Sequence, residues 1–353
     1  MDRLSDFSWY RIMKIVADED IFWVKDYFGH SGELILKPGR MLCRQDVIDA
    51  DMLLVRSVTP VNRELLQNTK VKWVGTATIG TDHLDIEWLH SQGIRWHSAI
   101  GCNAIAVTEY VINVIAALQQ ESHLPMQHLR VGIVGVGQIG ARVAAQLQSL
   151  GCEILLCDPL RAESENNFKS IPLNELCDVD VISLHVPLTR QGNHPTYHLI
   201  AKNILKKQKK HCVLINTSRG SVIDFTELKH YGQHLQWCLD VWENEPVIDL
   251  SVLQQAVIAT PHIAGYSLQS KHRAIAMLYQ TAVKDQFILP ISEPKIELPT
   301  FTVDFDNADW QEQVLAIYDP RMTTKQMKAA LKNDPMCFDL LRKSFIDRSE
   351  YTS

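Results

Sequence analysis

The stretch Val131-Gly-Ile-Val-Gly-Val-Gly-Gln-Ile-Gly140 joins an apolar strand pattern to a helical pattern running from Ile139 to Leu150. The join is a Gly135-x-Gly137-x-x-Gly140 turn, and an acid, Asp158, ends the next strand pattern 18 residues past the last glycine. Each position has a physical task if a dinucleotide binds there. Gly135 makes the tight turn, Gly137 lets the backbone approach a pyrophosphate, and Gly140 lets the helix pack on the strand. Gln138 and Ile139 open the helix, whose N–H groups would face the phosphates. Asp158 is expected to accept hydrogen bonds from the adenosine ribose and to repel a 2′-phosphate, which favours NAD over NADP. A nearby guanidinium, Arg161, works against that preference. The three glycines could also mark a tight turn in a sheet that binds no nucleotide, but strand, helix and acid together argue against it.

The rest of the chain supplies the sheet that such a turn needs. From Val131 onward, strand patterns at 131–135, 153–157, 181–185, 213–216, 237–240 and 257–259 alternate with amphipathic stretches, enough for a six-stranded doubly wound sheet. Upstream, strands are expected at 12–17, 52–56, 71–76 and 94–97, with helices at 19–28, 62–67 and 84–91. The segment Thr81-Asp82-His83 reads as the cap of the last of these helices. A long helical pattern covers 103–120, a loop with Pro125 follows at 123–130, and a helical run over 267–288 ends in the linker LPISEPKIELP. The expected class is α/β: two Rossmann-like doubly wound parallel-sheet domains plus a small α+β C-terminal segment. The expected boundaries are 1–104 with 267–296 for a flavodoxin-like domain, 105–266 for the nucleotide-binding domain, and 297–353 for the tail.

Composition narrows the partners. At 353 residues, 46% hydrophobic and 22% charged, the chain reads as globular with more than one core. Its net charge of −6 builds no broad basic field, so nucleic acid is not an expected partner. The most apolar stretch, 104–118, is interrupted by Thr108, Glu109 and Asn113, and no membrane span is expected. Residues 1–12 carry Asp2, Arg3, Asp6 and Arg11 and do not resemble a secretory leader. The eight cysteines show no Cys-x-x-Cys pair, which points to reduced thiols, a cytoplasmic location and no metal site.

Three further segments place a polar residue just past a strand pattern: Asn216-Thr217-Ser218-Arg219-Gly220, Asp240-Val-Trp-Glu-Asn-Glu245-Pro246, and Thr260-Pro-His262-Ile-Ala-Gly265-Tyr266. In an open parallel sheet the carboxyl ends of strands line the ligand crevice, so segments distant in sequence can converge there. Oxidising an alcohol by hydride transfer requires a base, a cation for a substrate carboxylate, and a group that holds the base. His262, Arg219 and Glu245 supply those chemistries. Each also has a duller reading: a loop histidine, a surface arginine and one more acid in an acidic loop.

Arg219, Glu245 and His262, within NTSRG, LDVWENEP and TPHIAGY, resemble the Arg/Glu/His set of the D-2-hydroxyacid dehydrogenase superfamily over about residues 13–290. More narrowly, MLLVRSVTPVN, WVGTATIGTDHLD, GCNAIAVTEYV and LLCDPLRA resemble the erythronate-4-phosphate dehydrogenase family, NAD enzymes of pyridoxal phosphate biosynthesis. The resemblance implies catalytic roles for Arg219, Glu245 and His262 and substrate contacts at Ser57, Thr78 and Tyr266. It implies NAD contacts at Asp158, at the Thr217-Ser218-Arg219 backbone, at Asp240 and at Gly265. It further implies a small phosphorylated hydroxy acid as substrate, bound by the 1–104 and 267–296 domain, and a homodimer formed through 297–353. Apart from the resemblance, Arg56, Lys271 and Arg273 are cations near these motifs that could add charge for the phosphate, and ordinary exposed charges are an equally good reading of them. Val186 departs from the pattern, standing where the family generally has a threonine. The family's start would fall at Met13, and the tail looks shortened. A phosphoglycerate or glycerate dehydrogenase and a dinucleotide-sensing corepressor of the same fold are the alternatives.

Overall fold

The structure is a computed structural model that describes residues 12–121, 123–124 and 128–352. The chain divides into two compact units: residues up to Asn103 with Gln269–Leu298, and Ala104–Leu268 with the residues from Pro299 onward.

Among the described residues, the first unit holds a five-stranded parallel sheet built from β1 (Lys14–Asp18), β2 (Glu33–Lys37), β3 (Met52–Val55), β4 (Trp73–Thr76) and β5 (Arg95–Ser98), in the order β2-β1-β3-β4-β5. Strand β2 was not anticipated: Glu-Leu-Ile-Leu-Lys is short and only half-buried at the sheet edge. Four of the five strands do follow the expected apolar runs. Helix 86–91 is capped by Asp85, whose side chain accepts from Trp88 N–H, and not by the Thr81-Asp82-His83 segment. His83 turns inward instead, with Nε2 2.9 Å from Thr76 Oγ1.

The second unit carries a six-stranded parallel sheet: β6 (Arg130–Val134), β7 (Glu153–Cys157), β8 (Val181–Leu184), β9 (Val213–Asn216), β10 (Gln236–Leu239) and β11 (Ile258–Ala259), in the order β11-β10-β9-β8-β6-β7. The chain leaves β6 toward β7 on one side and returns to β8 on the other, so the switch point lies at the carboxyl ends of β6 and β8, where ligands bind in such sheets. Helix Ala104–Gln120 is buried along nearly its whole length, which explains its weak amphipathic signal in sequence.

The residues after 298 do not stand apart. Val303, Val314, Leu315 and Tyr318 join the core around helix Ala104–Gln120, while Met327, Leu331 and Phe338 join the core on the other face of the sheet. Strands β12 (Phe301–Thr302) and β13 (Tyr351–Thr352) pair with each other. Among the described residues no helix is long and apolar enough to cross a membrane, and no group of three His, Cys, Asp or Glu is placed to hold a metal ion.

Candidate active site

The three glycines after β6 do different work. Gly135 sits at φ +85°, and a Cβ there would lie 2.7 Å from Val186 Cγ1 and 2.8 Å from His185 O. A Cβ on Gly140 would lie 1.9 Å from the Gly135 carbonyl oxygen, so that position must be bare for the helix to approach the strand. Gly137 is exposed, has an ordinary φ of −80°, and nothing lies within 4 Å of where its Cβ would be. Its bareness answers no need of the protein itself, which is what a close ligand approach would leave. Gln138 is exposed and Ile139 half-buried at the start of the twelve-residue helix Gln138–Ser149.

Asp158 braces this turn. Its Oδ2 accepts from Val136 N–H at 2.8 Å, and its Oδ1 caps the next helix by accepting from Arg161 N–H at 3.0 Å. Each carboxylate oxygen keeps acceptor capacity for a ribose hydroxyl. Arg161 is held by its own contacts: Nη1 donates to Val136 O at 2.9 Å, Nε donates to Glu165 at 2.9 Å, and the guanidinium lies 4.5 Å from the Phe168 ring centroid. An open glycine, helix-terminal amides and a half-buried acid fit a dinucleotide.

Beyond β9, Asn216 folds the next turn. Its Oδ1 accepts from Ser218 N–H at 3.0 Å and Oγ–H at 2.8 Å, and its Nδ2 donates to Arg219 O at 2.9 Å. Arg219 is half-buried, and its Nη1 donates to Ser218 O at 2.8 Å. Gly220 then presses on the loop after β10: a Cβ would come within 2.0 Å of Trp242 C and 2.4 Å of Glu243 N. The structure shows that it lets the arginine-bearing turn and the glutamate-bearing loop touch.

Asp240 organises the third loop. Its side chain is buried and accepts from Thr260 Oγ1–H at 2.6 Å, Ile263 N–H at 2.8 Å and Ala264 N–H at 2.9 Å. Burial pushes its carboxyl above the usual range, against the pull of His262 and those donors. His262 sits at φ +59°, with its own N–H on Asp240 O at 2.7 Å. Its Nδ1 lies 2.8 Å from Glu245 Oε2, while Glu245 Oε1 accepts from Trp242 N–H at 2.8 Å. Burial raises the Glu245 carboxyl, but the His262 charge and hydrogen bond, the Trp242 amide and the Arg342 charge outweigh it, leaving the group below its ordinary value. With Nδ1 committed to Glu245, Nε2 is the ring atom left to exchange a proton. The His262 side chain is 30% exposed, enough to meet a ligand.

Other anticipated residues fall as follows. Thr217 Oγ1 lies 3.3 Å from His185 Nδ1, and Ser218 is buried. His185, which sequence reasoning passed over, also meets Ser183 Oγ at 2.9 Å, and burial drives it down to about 3, so it is a neutral hydrogen-bonding group. It was visible as a polar residue closing a strand pattern, the same signal that drew attention to Arg219. Gly265 and Tyr266 are half-buried, and the Tyr266 ring has the Arg342 guanidinium 5.5 Å from its centroid.

In the first unit, Ser57 is exposed just past β3, and Thr78 Oγ1 is 2.7 Å from Thr76 Oγ1 and donates to Gly80 O at 3.0 Å. Arg56 is not a spare cation as expected. It pairs with Asp18 at 2.8 Å and Asp20 at 2.6 Å and is neutralised by them. Lys271 lies over the Phe22 ring at 4.1 Å, and Arg273 Nε donates to Cys102 O at 2.8 Å.

The tail fastens the His262 loop. Buried Arg348 pairs with Glu109 at 2.7 Å, donates to the Ala106 carbonyl, and donates to Ala264 O at 3.1 Å. Ser267 Oγ–H donates to Glu350 at 2.6 Å, and Leu268 N–H to Arg348 O at 3.1 Å. Partners eighty or more residues apart leave no local trace in the sequence.

Residues 108–264 match the family model for the D-isomer specific 2-hydroxyacid dehydrogenase, NAD binding domain. The erythronate-4-phosphate dehydrogenase of Coxiella burnetii is 42% identical over 97% of this chain and 94% of its own length. That of Pseudomonas putida is 40% identical over 96% and 93%. Among solved structures, an NAD-dependent formate dehydrogenase from Staphylococcus aureus in complex with NAD aligns at a TM-score of 0.65 and 23% identity, over 80% of this chain and 98% of that one. An NAD-bound 3-phosphoglycerate dehydrogenase from Entamoeba histolytica aligns at 0.65 and 24%, over 78% and 95%. These two share the fold. With its dinucleotide turn, its Glu245–His262 pair and relatives matched along nearly its whole length, the chain belongs to the erythronate-4-phosphate dehydrogenase family of NAD-binding D-2-hydroxyacid dehydrogenases.

Proposed function

We propose that this enzyme oxidises 4-phospho-D-erythronate to 2-oxo-3-hydroxy-4-phosphobutanoate as a step toward pyridoxal 5′-phosphate, in the cytoplasm. The observation that carries the chemistry is the 2.8 Å contact from His262 Nδ1 to a Glu245 carboxylate held below its ordinary value. Glu245 fixes the ring and stabilises the imidazolium, so His262 takes the C2 hydroxyl proton at Nε2. Arg219 grips the substrate carboxylate with its planar fork and polarises the C2 oxygen. Ser57, Thr78 and Tyr266 contribute hydroxyls to the substrate. Gly137, the amides of Gln138 and Ile139, and Asp158 would hold NAD, with Thr217, Ser218, Asp240 and Gly265 around it. NAD supplies the hydride acceptor when bound.

The test compares kcat/KM with NAD for 4-phosphoerythronate, erythronate and 3-phosphoglycerate, alongside His262→Asn. The reading expects a strong preference for the first acid and a fall in turnover of about 10²- to 10⁴-fold in the variant with NAD affinity kept. A preference for 3-phosphoglycerate would reassign the substrate. NAD binding without turnover of any acid would favour a dinucleotide sensor.

A homodimer through residues 297–353 belongs to the same reading. Its apolar residues that stay outward, Met322, Met336, Leu340 and Ile346, are each more than half exposed and suit a second copy. Light scattering over a range of concentrations decides it, since a fully active monomer throughout would refute the dimer.

A further inference from the structure

We propose that Arg342 is the second anchor of the substrate, taking the terminal phosphate of the hydroxy acid whose carboxylate Arg219 holds. This rests on the reading above that the substrate is a phosphorylated 2-hydroxy acid. A chain oriented for hydride transfer needs a grip at each end, and the cations first considered for the far end are otherwise engaged. Arg56 is neutralised by Asp18 and Asp20, Arg273 donates to the Cys102 carbonyl, and Lys271, over Phe22, is a point charge without a two-point fork.

Arg342 differs from them. It sits in the last turn of helix Phe338–Ser344, with its guanidinium 5.5 Å from the centroid of Tyr266, and that ring is four residues past His262 on the same loop. Its Nε is buried without any hydrogen-bond partner. A buried donor left unsatisfied is uncommon and calls for an acceptor. An oxygen of a phosphate dianion supplies one, and the planar fork of arginine matches it at two points. The nearby charge also helps hold Glu245 below its ordinary value, which puts Arg342 within electrostatic reach of the Glu245–His262 pair. The Tyr266 ring also holds the cation near the loop by a cation–π contact. The tail thus has two tasks: Arg348 fastens the loop, and Arg342 reads the ligand.

The test measures, in wild type, Arg342→Gln and Arg342→Lys, the ratio of kcat/KM for a phosphorylated acid to that for its unphosphorylated counterpart, together with inhibition by inorganic phosphate. Melting curves verify that each variant is folded. Losing a charge-assisted two-point contact should shrink the ratio by about 10- to 100-fold in the glutamine variant, with a smaller loss for lysine and weaker inhibition by phosphate. A ratio within about threefold of wild type in both variants, or equal losses for both acids, would overturn the anchor. The ratio can be read with any phosphorylated 2-hydroxy acid that the wild type turns over. Failure on 4-phosphoerythronate therefore counts against the substrate, while an unchanged ratio counts against Arg342.

Discussion

Replacing Gly220 with alanine tests whether contact between the Arg219 turn and the Glu245 loop sets the active-site geometry. A Cβ at this position would stand 2.0 Å from Trp242 C, 2.1 Å from Trp242 O and 2.4 Å from Glu243 N. All three are backbone atoms, so no side chain can swing aside. Since a real Cβ keeps at least 3.0 Å from such atoms, the turn and the loop must part by about 1 Å. Gly220 is not at positive φ, so the effect is one of space and not of backbone conformation. Overpacking of this kind costs about 1–3 kcal/mol of stability, which a domain of this size tolerates. Catalysis should suffer more, because about 1 Å of misplacement between reacting groups costs ~10²-fold. Initial rates of NADH formation give kcat/KM, and fluorescence titration gives NAD affinity. We expect kcat/KM to fall about 10²-fold with a smaller loss of NAD affinity, since the glycine turn and Asp158 are untouched while Thr217 and Ser218 lie on the displaced turn. A folded variant whose kcat/KM stays within about threefold, well under the tenfold that ~1.4 kcal/mol represents, would refute the reasoning.

Three other perturbations follow from the same structure. Gly137→Ala adds a methyl that meets no protein atom within 4 Å at a φ that alanine adopts, so stability should hold within about 0.5 kcal/mol while NAD affinity drops at least tenfold. Gly140→Ala, whose Cβ would fall 1.9 Å from the Gly135 carbonyl, should lose both, and equal behaviour of the two variants would contradict the division of labour among the glycines. Burial pushes Glu109 up from 4.5 to about 7 against the pull of Arg348 and the Tyr351 amide. A carboxyl with a raised folded value takes up a proton on folding, so its stabilising contribution is full below pH 4.5 and is lost as pH rises through about 7. Relative to Glu109→Gln, which does not titrate there, wild-type stability in denaturant melts should decline across that window, and parallel pH profiles would exclude the effect.

Periodicity and glycine spacing carried the second sheet in the sequence almost strand for strand, because buried parallel strands are continuous apolar runs and the turn after β6 admits few residue types. They also carried Arg219, Glu245 and His262 as polar residues closing strands, though their roles came from resemblance to a family. Strand β2 escaped notice because an edge strand buries too little to leave a pattern. The cap at Asp85 was misplaced by a few residues, as helix boundaries are set by one side-chain bond. Local sequence also marked Arg56 as a spare charge, and only tertiary structure set Asp18 and Asp20 against it. It likewise turned Gly220 into a contact between loops, made Asp240 the buried hub of the His262 loop, and brought Arg342 and Arg348 from the tail to that loop. The physical reason is common to all of these: hydrophobic period and turn chemistry act between neighbours in the chain, whereas the partner that neutralises a charge or satisfies a buried donor is chosen by the fold, at any distance along it.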